Sequence, residues 1–338
     1  MIASALPRKP QSTFRADALV RCFNRPGLMK TDYRSRERRK RAAWIAFLIV
    51  PPMAMMLTFV VWPLLLALSS AFYRWEGMAQ GEFVGLQNFS DVLFGDHFAA
   101  LTWRAFRHNL FVFFALFVVQ NTAGFLLAWF IYREPFGFRF HRIAIFMPVI
   151  LSTVLVGFLW KLFLDPNFGL INQLLDMIGL GALRQPWLGQ ETTALPALVM
   201  ANAWHWVGFP ALVYLAGMQR IPREILEAAK LDGCSSWQML TRVVWPLVAP
   251  STTITLTLLF IGAFNWFELP YIMAGLDGSP YGSTDVLGLY FYRTAFGNQS
   301  GGLQDFGHGN ALAVLMFMFI AVVATLITQY LRRREIAL

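Results

Sequence analysis

The chain has 338 residues, of which 57% are hydrophobic and 14% are charged, and its mean hydropathy is +0.51. The apolar share is higher and the charged share lower than in soluble domains, which excludes a soluble globular protein. The formal net charge of +9 comes mostly from the N-terminal segment, a distribution explained better by membrane topology and anionic lipid headgroups than by nucleic acid.

Residues 1–41 form a basic extension. They contain 12 of the 28 Lys and Arg residues and show no helical or strand periodicity. This composition is typical of a segment that lacks a packed core, so we predict a largely disordered cytoplasmic extension that lies against the membrane. The apolar run that follows is too long for the h-region of a signal peptide, and no cleavage site follows it closely, so we expect it to be retained.

Six apolar runs are long enough to cross a bilayer. A hydrocarbon core of about 30 Å requires about 20 helical residues. The runs cover residues 42–72, 109–132, 143–163, 194–218, 250–272 and 311–331. The sequence therefore predicts an all-α polytopic membrane protein with six transmembrane helices.

The distribution of Lys and Arg predicts the orientation of these helices, because both residues accumulate in short loops on the cytoplasmic side. Besides the 12 in the extension, three lie between the second and third runs, four between the fourth and fifth runs, and three in the tail of residues 332–338. The loops on the opposite side hold five. Both termini are therefore predicted to be cytoplasmic, as is the connector of residues 219–249.

The sequence motifs of common membrane enzymes are missing. The chain has no GxxxxGK[ST] phosphate-binding loop, no HExxH and no GxSxG motif, and its five histidines are scattered. Cys22 and Cys234 lie far apart without metal-ligand spacing, so neither a disulfide nor a metal site is indicated. We therefore expect a transport protein with no catalytic residues, no metal and no ATPase site of its own.

Polar and ionisable side chains within the spans are candidates for a transport pathway, because they are costly in lipid. The ionisable candidates are His205 and Glu268. The candidate residues for contact with the substrate are Asn202, Trp204, Tyr214, Asn265 and Glu268. Hydrogen bonding between helices is the alternative role for each of them.

The connector between the fourth and fifth runs has the sequence features of a helix, a turn and a second helix. Pro222 suits a first helical position, and Glu224 and Glu227 suit the early turns of that helix. Gly233 suits a C-terminal cap, since glycine takes the left-handed conformation without strain.

A second helix is predicted to follow directly. Ser235 and Gln238 have capping-box spacing, and Pro246 and Pro250 mark the entry into the fifth run. The connector carries much apolar surface for a cytoplasmic loop. It is either a docking element or a connector whose apolar side rests on the ends of the chain's own helices.

The connector resembles the EAA loop of permease subunits in ATP-binding-cassette (ABC) importers. The resemblance rests on Glu227-Ala228-Ala229, then Asp232-Gly233, then Pro246. Further matches are residues 83–89 (FVGLQNF), Asn109, Pro148, residues 169–172 (GLIN), Trp187, Leu188, residues 215–222 (LAGMQRIP) and residues 283–287 (STDVL). Together they are similar to the carbohydrate-importer branch, of the maltose and glycerol-3-phosphate type.

This resemblance implies a type I ABC importer permease in the bacterial cytoplasmic (inner) membrane. It implies that Glu227, Ala228, Ala229, Asp232, Gly233 and Pro246 form the coupling loop that binds a separate ATPase. The implied partners are a second homologous permease, two copies of the ATP-binding-cassette subunit, an extracytoplasmic solute-binding protein and membrane lipid. ATP and Mg²⁺ would be bound by the ATPase subunits, and this chain would carry no cofactor.

The resemblance also implies import of sugars or related polyols, for which hydrogen-bonding groups and an aromatic face are needed; Trp204 is the preferred aromatic. The alternative function is an ion-coupled secondary transporter, which works as a single chain and needs no ATPase. That alternative leaves the spacing from Glu227 to Pro246 unexplained. The sequence does not identify the sugar.

Overall fold

The structure is a computed structural model that describes residues 28–76, 79–297, 304–333 and 335. The chain divides into two units, residues 1–66 and residues 67–338. Helices make up most of the described residues. The prediction of a mainly helical membrane protein is confirmed.

The first unit is dominated by helix α1 (Leu28–Met56), which continues through a π-helical turn (Leu57–Val61) into α2 (Trp62–Ser70). The prediction of disorder is therefore wrong for residues 28–41, where Arg, Lys, Glu and Ala favour a helix. The rest of the extension lies outside the described residues. Large apolar side chains such as Trp44 and Phe59 are exposed all along this helix. From residue 42 onward the helix is apolar on every face, as is typical of a membrane span.

The second unit begins with the last turn of α2 and a β-hairpin, and then continues as helices. Strand β1 (Tyr73–Glu76) pairs antiparallel with β2 (Ala79–Phe83), so that Tyr73 lies opposite Phe83. The hairpin was not predicted, because its two strands are too short to show a clear alternation of polar and apolar residues.

Three groups of helices follow the hairpin. The first group contains α3 (Gln87–Phe94), α4 (Phe98–Leu116), a π-helical turn (Phe117–Asn121) and α5 (Thr122–Tyr132). The second contains α6 (Phe138–Ile150), α7 (Thr153–Phe163), α8 (Leu170–Met177), a 3₁₀ turn (Gly181–Leu183), α9 (Glu191–Trp206) and α10 (Gly208–Met218). The third contains α11 (Arg223–Leu231), α12 (Ser236–Gln238), a π-helical turn (Met239–Val244), α13 (Trp245–Leu247), α14 (Ala249–Phe264), α15 (Glu268–Ala274), α16 (Leu287–Phe296) and α17 (Phe306–Arg332).

The described residues contain three continuous helical stretches that are long and apolar enough to cross a membrane, namely Glu37–Ser70, Phe98–Tyr132 and Phe306–Arg332. Three bent helix pairs also pass the test of length and composition. The bends measure 100° between α6 and α7, 43° between α9 and α10, and 73° between Ser236–Leu247 and α14. The six-span model therefore holds only if each bent pair counts as one span.

The predicted boundaries need several corrections. The second helical stretch begins at Phe98 rather than near residue 109. In the fifth apolar run the helix ends at Phe264, and α15 begins as a separate helix at Glu268. The third and fourth runs are each broken by a bend. Hydropathy misses these features because a bend or break changes the direction of a chain without changing its composition.

The sharpest bend has an identifiable structure. Leu151 and Ser152 leave the helical conformation, and the Ser152 hydroxyl caps α7 by accepting a hydrogen bond from the Leu155 amide at 3.3 Å. The buried His205 places its Nε2 3.1 Å from the carbonyl oxygen of Leu151. His205 therefore satisfies a backbone acceptor at the break, which gives this ionisable residue a structural role.

Close packing between helices builds the core of the second unit. Helix α5 packs against α10 at Gly124, where an added Cβ would lie 2.8 Å from the ring of Pro210. Helix α14 packs against α17, and α16 packs against both α4 and α17. A small residue at such a crossing allows two helices to approach closely, as is common in membranes.

Candidate functional site

The first helix of the connector is α11. Pro222 is its N-cap residue, one position before the expected first helical position, and Arg223 begins the helix. Glu224 lies in the first turn, where a carboxylate interacts favourably with the helix dipole. The prediction of a helix that carries Glu227 is confirmed in its local structure.

The turn after α11 is stabilised by Gly233. Its φ is +80°, in the region that favours glycine. The Gly233 amide donates to the Lys230 carbonyl at 3.0 Å, and the Cys234 amide donates to the Ala229 carbonyl at 3.1 Å. This pair of bonds is a Schellman motif, which satisfies the last carbonyls of the helix. The predicted glycine cap is confirmed.

The second helix starts with the predicted capping box. The Gln238 amide donates to the Ser235 hydroxyl at 3.3 Å, and the Ser235 amide donates to the Gln238 side chain at 2.8 Å. The chain then passes through the π-helical turn into α13, where Pro246 lies in the first turn. Both ends of the turn are thus held by local hydrogen bonds, which makes the connector stiff.

The connector has one buried side and one exposed side. Ala229, Met239 and Leu240 are buried in the same cluster as the α10 residues Leu215 and Met218. The other coupling residues predicted on α11 and its turn, which are Glu227, Ala228, Asp232 and Gly233, are all exposed. Part of the apolar surface of the connector therefore rests on the helix bundle, and part of it faces outward.

Two large apolar side chains stand on the exposed side. Leu231 is 90% exposed and Trp237 is 66% exposed. Leu231 precedes Gly233 and Trp237 follows it, so both belong to the connector that carries Glu227. An exposed leucine and tryptophan on the same connector as Glu227 offer apolar surface suited to a protein partner.

A cavity of about 530 Å³ lies in the middle of the helices. Three of the predicted pathway residues line it, namely Asn202, Asn265 and Glu268. Asn202 donates to the Gln120 side-chain oxygen at 3.5 Å. Glu268 is the first residue of α15 and is the only ionisable residue that lines the cavity in the part of the chain that the structure describes.

Trp204 and Tyr214 do not line this cavity. Trp204 contacts Trp160, with ring centroids 6.0 Å apart and edge-to-face geometry. Tyr214 is fully buried, and its hydroxyl accepts hydrogen bonds from Asn121 at 3.0 Å and from Thr255 at 3.2 Å. These contacts agree with the alternative role of hydrogen bonding and packing between helices.

The sequence analysis missed several residues of the cavity. Gln120 and Asn121 lie in the π-helical turn between α4 and α5, and Trp206, Phe209 and Trp266 supply aromatic side chains. For Gln120 and Asn121, the one indication in the sequence of a pathway role was that two adjacent amides stand in the middle of an apolar run. The aromatic residues could not be separated by sequence from the many others that face lipid.

A second polar site was also missed, in the loop before α16. Asp285 is fully buried and accepts two hydrogen bonds from Arg293, at 2.7 and 3.2 Å. Arg104 of α4 donates to the same carboxylate at 3.3 Å. The carboxylate therefore joins three segments, and residues 283–287 of the sequence resemblance include it.

Two further contacts hold the same loop. The Asn109 side chain donates to the Ala263 carbonyl at 2.6 Å and accepts from the Leu287 amide at 2.8 Å. His108 Nδ1 lies 2.7 Å from the Asp285 carbonyl oxygen. Because Asn109 bonds to both α14 and the start of α16, it joins the helix that lines the central cavity to the loop.

A comparison with protein families matches the part of the chain that contains the connector and most of the central cavity. Residues 120–336 match the family model described as binding-protein-dependent transport system inner membrane component. This range includes the whole connector and most residues of the central cavity. It covers more than half of the chain.

Curated relatives extend the similarity over most of the chain. The chain is 29% identical, over 88% of its length and 97% of the relative's, to a probable starch degradation products transport system permease protein of Thermoanaerobacterium thermosulfurigenes. It is 28% identical, over 86% of its length and 95% of the relative's, to a multiple sugar-binding transport system permease protein of Streptococcus mutans.

A solved structure has the same fold. It belongs to a bacterial ABC transporter involved in the import of the acidic polysaccharide alginate, and it is 23% identical with a TM-score of 0.74. The match covers 89% of this chain and 99% of the other. The family match and the permease relatives do not favour an ion-coupled carrier. The chain belongs to the family of inner membrane components of binding-protein-dependent transport systems.

Proposed function

We propose that this chain is the transmembrane permease subunit of an ATP-driven importer of sugars or related polyols. In this proposal the chain forms part of the translocation path and transmits force, while separate subunits bind ATP and Mg²⁺. A second homologous permease, two ATP-binding-cassette subunits and an extracytoplasmic solute-binding protein complete the importer.

The observation that carries the coupling role is the structure of the connector. Glu227 and Ala228 are exposed on a helix whose end is held by the Gly233 Schellman motif. On the other side of the helix, Ala229 packs into the buried cluster of α5 and α10. A stiff element that is exposed on one side and packed on the other can transmit a displacement of a partner to the helices. We therefore assign residues 219–249 as a cytoplasmic coupling loop.

The central cavity supports a carbohydrate substrate. Sugar hydroxyls require donors and acceptors, which Asn202, Gln120 and Asn265 supply. Trp206 and Phe209 provide aromatic surface beside these amides. The names of the two curated relatives, which refer to starch degradation products and to multiple sugars, point to the same class of substrate.

The direct test is uptake in proteoliposomes that contain this chain, a second permease and the ATPase from the neighbouring genes, with the cognate binding protein. We expect Glu227→Lys to abolish ATP-driven uptake of neutral mono- and oligosaccharides without lowering the amount of protein in the membrane. The reason is that a cation replaces the exposed carboxylate proposed to pair with a basic residue of the ATPase.

Glu224→Lys is the matched control, because Glu224 is exposed on the same helix one turn earlier. The change costs about 0.3 to 1 kcal/mol of helix stability through the dipole and should leave uptake nearly unchanged. Normal uptake by the Glu227→Lys variant would contradict the coupling assignment. Uptake without any ATPase subunit would contradict the proposed class of transporter.

A further inference from the structure

A second cavity, of about 710 Å³, lies beside the coupling loop. We call it the basic cavity. It is lined by residues from the end of α5, the following loop, α6, α10, α11 and the turn after α11. Of its lining residues, the proposed transport function uses only Glu227.

The charges in this cavity are unbalanced. Four cations line it, from Arg133, Arg142, Arg223 and Lys230, against two carboxylates. Within the described ranges, none of these four cations forms a hydrogen bond or an ion pair with another side chain. Arg133 lies 5.9 Å above the ring of Trp129, which orients its guanidinium without neutralising it. The cations are therefore available to an anion.

The apolar part of the cavity restricts the kind of anion. The cavity is also lined by Trp129, Tyr132, Phe138 and Leu226, which are partly exposed, so part of their apolar surface is open to solvent. A small hydrated anion would leave this apolar wall exposed to water, whereas a ligand with a phosphate group and a hydrocarbon part would cover both surfaces. An anionic phospholipid has this combination.

The cavity also lies at the ends of two candidate membrane spans. Tyr132 is the last residue of the candidate span Phe98–Tyr132, and Phe138 is the first residue of the next bent pair. Trp129 and Tyr132 are aromatic residues of the kind that are enriched at membrane interfaces. Basic cavities between helix ends on the cytoplasmic side suit anionic headgroups, and the forked guanidinium of arginine matches a phosphate.

We infer that the basic cavity binds the headgroup phosphate of an anionic phospholipid. Arg142 of α6 and Arg223 of α11 contact the phosphate from two sides, and the apolar wall covers the glycerol and the first carbons of the acyl chains. Binding at this position joins α6 to the start of the coupling loop.

The test uses the full-length chain purified in detergent and native mass spectrometry. The chain is titrated with dioleoyl-phosphatidylglycerol and, separately, with dioleoyl-phosphatidylcholine. We expect preferential binding of phosphatidylglycerol, and we expect the double variant Arg142→Gln with Arg223→Gln to weaken it roughly 25-fold, at about fivefold for each cation. The double variant Arg139→Gln with Arg220→Gln is the control, since both of these exposed arginines lie outside the cavity.

A variant that is expected to bind the lipid more tightly is also needed, because a misfolded protein would only lose binding. Glu134→Gln removes one of the two carboxylates in the cavity and should tighten phosphatidylglycerol binding about fivefold. Equal binding of the two lipids, or an equal loss in the control double variant, would overturn the inference. Inorganic phosphate is the last probe: saturable binding of phosphate without preference for phosphatidylglycerol would assign the cavity to a soluble anion and would also overturn it.

Discussion

Arg293 of α16 donates two hydrogen bonds to the buried carboxylate of Asp285, and thereby closes the loop that precedes its own helix. The same guanidinium donates to the Leu276 carbonyl at 2.8 Å, at the other end of that loop. Because Arg104 adds a bond from α4, one carboxylate holds the loop, α16 and α4 together. The loop therefore cannot move independently of these two helices.

Asp285→Asn tests this arrangement. Removing the charge leaves Arg293 largely buried without a full partner, which typically costs about 3 to 5 kcal/mol. The control is Asp176→Asn, because the Asp176–Arg184 pair is exposed and contributes less than about 1 kcal/mol. Thermal unfolding of the two purified variants should show a large loss for Asp285→Asn only. Similar losses in both would contradict the structural role.

Gly233→Ala tests the turn of the coupling loop. No atom lies within 4 Å of the added Cβ, so the cost comes from the positive φ alone, about 1 to 2 kcal/mol. Gly179 is a matched control, since its φ of +78° is similar and its Cβ would also meet no atom. We expect both variants to lose similar stability in thermal unfolding, but only Gly233→Ala to lower substrate-stimulated ATPase activity in the reconstituted complex. Equal activity in both would contradict a coupling role for this turn.

Tyr214→Phe and Glu268→Gln separate structural residues from pathway residues. Tyr214→Phe leaves the buried side-chain amide of Asn121 without its acceptor and removes one of the two acceptors of the Thr255 hydroxyl, so it should lower stability by about 1 to 3 kcal/mol. Glu268→Gln keeps the shape of the side chain at the cavity and should leave thermal unfolding nearly unchanged while altering sugar uptake. Uptake in proteoliposomes and unfolding in detergent are compared for both. A normal uptake rate in Glu268→Gln would remove this residue from the pathway.

Asp305 provides a prediction for pH dependence. Burial acts to raise the pKa of its carboxyl, but hydrogen bonds from the His308 side chain and backbone outweigh burial and hold the pKa below its ordinary value of 3.8. A lowered native pKa stabilises the fold fully above the unfolded pKa and progressively less as the pH falls through the native value. Thermal unfolding between pH 3 and pH 6 should therefore show a loss at the acidic end.

Asp305→Asn is the control for this titration. Asparagine also caps helices well, so the variant keeps the cap of α17 and removes only the charge. Its stability should vary less between pH 3 and pH 6 than that of the parent chain. An unchanged pH dependence would show that other carboxyl groups cause the acidic loss.

The features that sequence predicts well in this protein are those with short-range causes. Hydropathy located the apolar runs because burial in lipid requires about 20 consecutive apolar residues. The cap at Gly233 and the capping box of Ser235 and Gln238 were predictable because their hydrogen bonds join residues at most five positions apart. The family resemblance of the connector rested on the same short segment.

The sites assembled from distant segments were decided only by the tertiary structure. The contact of Asn109 with Ala263 and Leu287 joins residues more than 150 positions apart, and Asp285 is 181 positions from Arg104. Likewise Asn202 and Glu268 line the central cavity whereas Trp204 and Tyr214 do not. Sequence alone determined which segments are apolar enough to enter the membrane and how the two helices of the connector are capped, because those features depend on local composition and local hydrogen bonds. The direction of each bend and the partner of each polar side chain depend on how helices pack, so they required the fold.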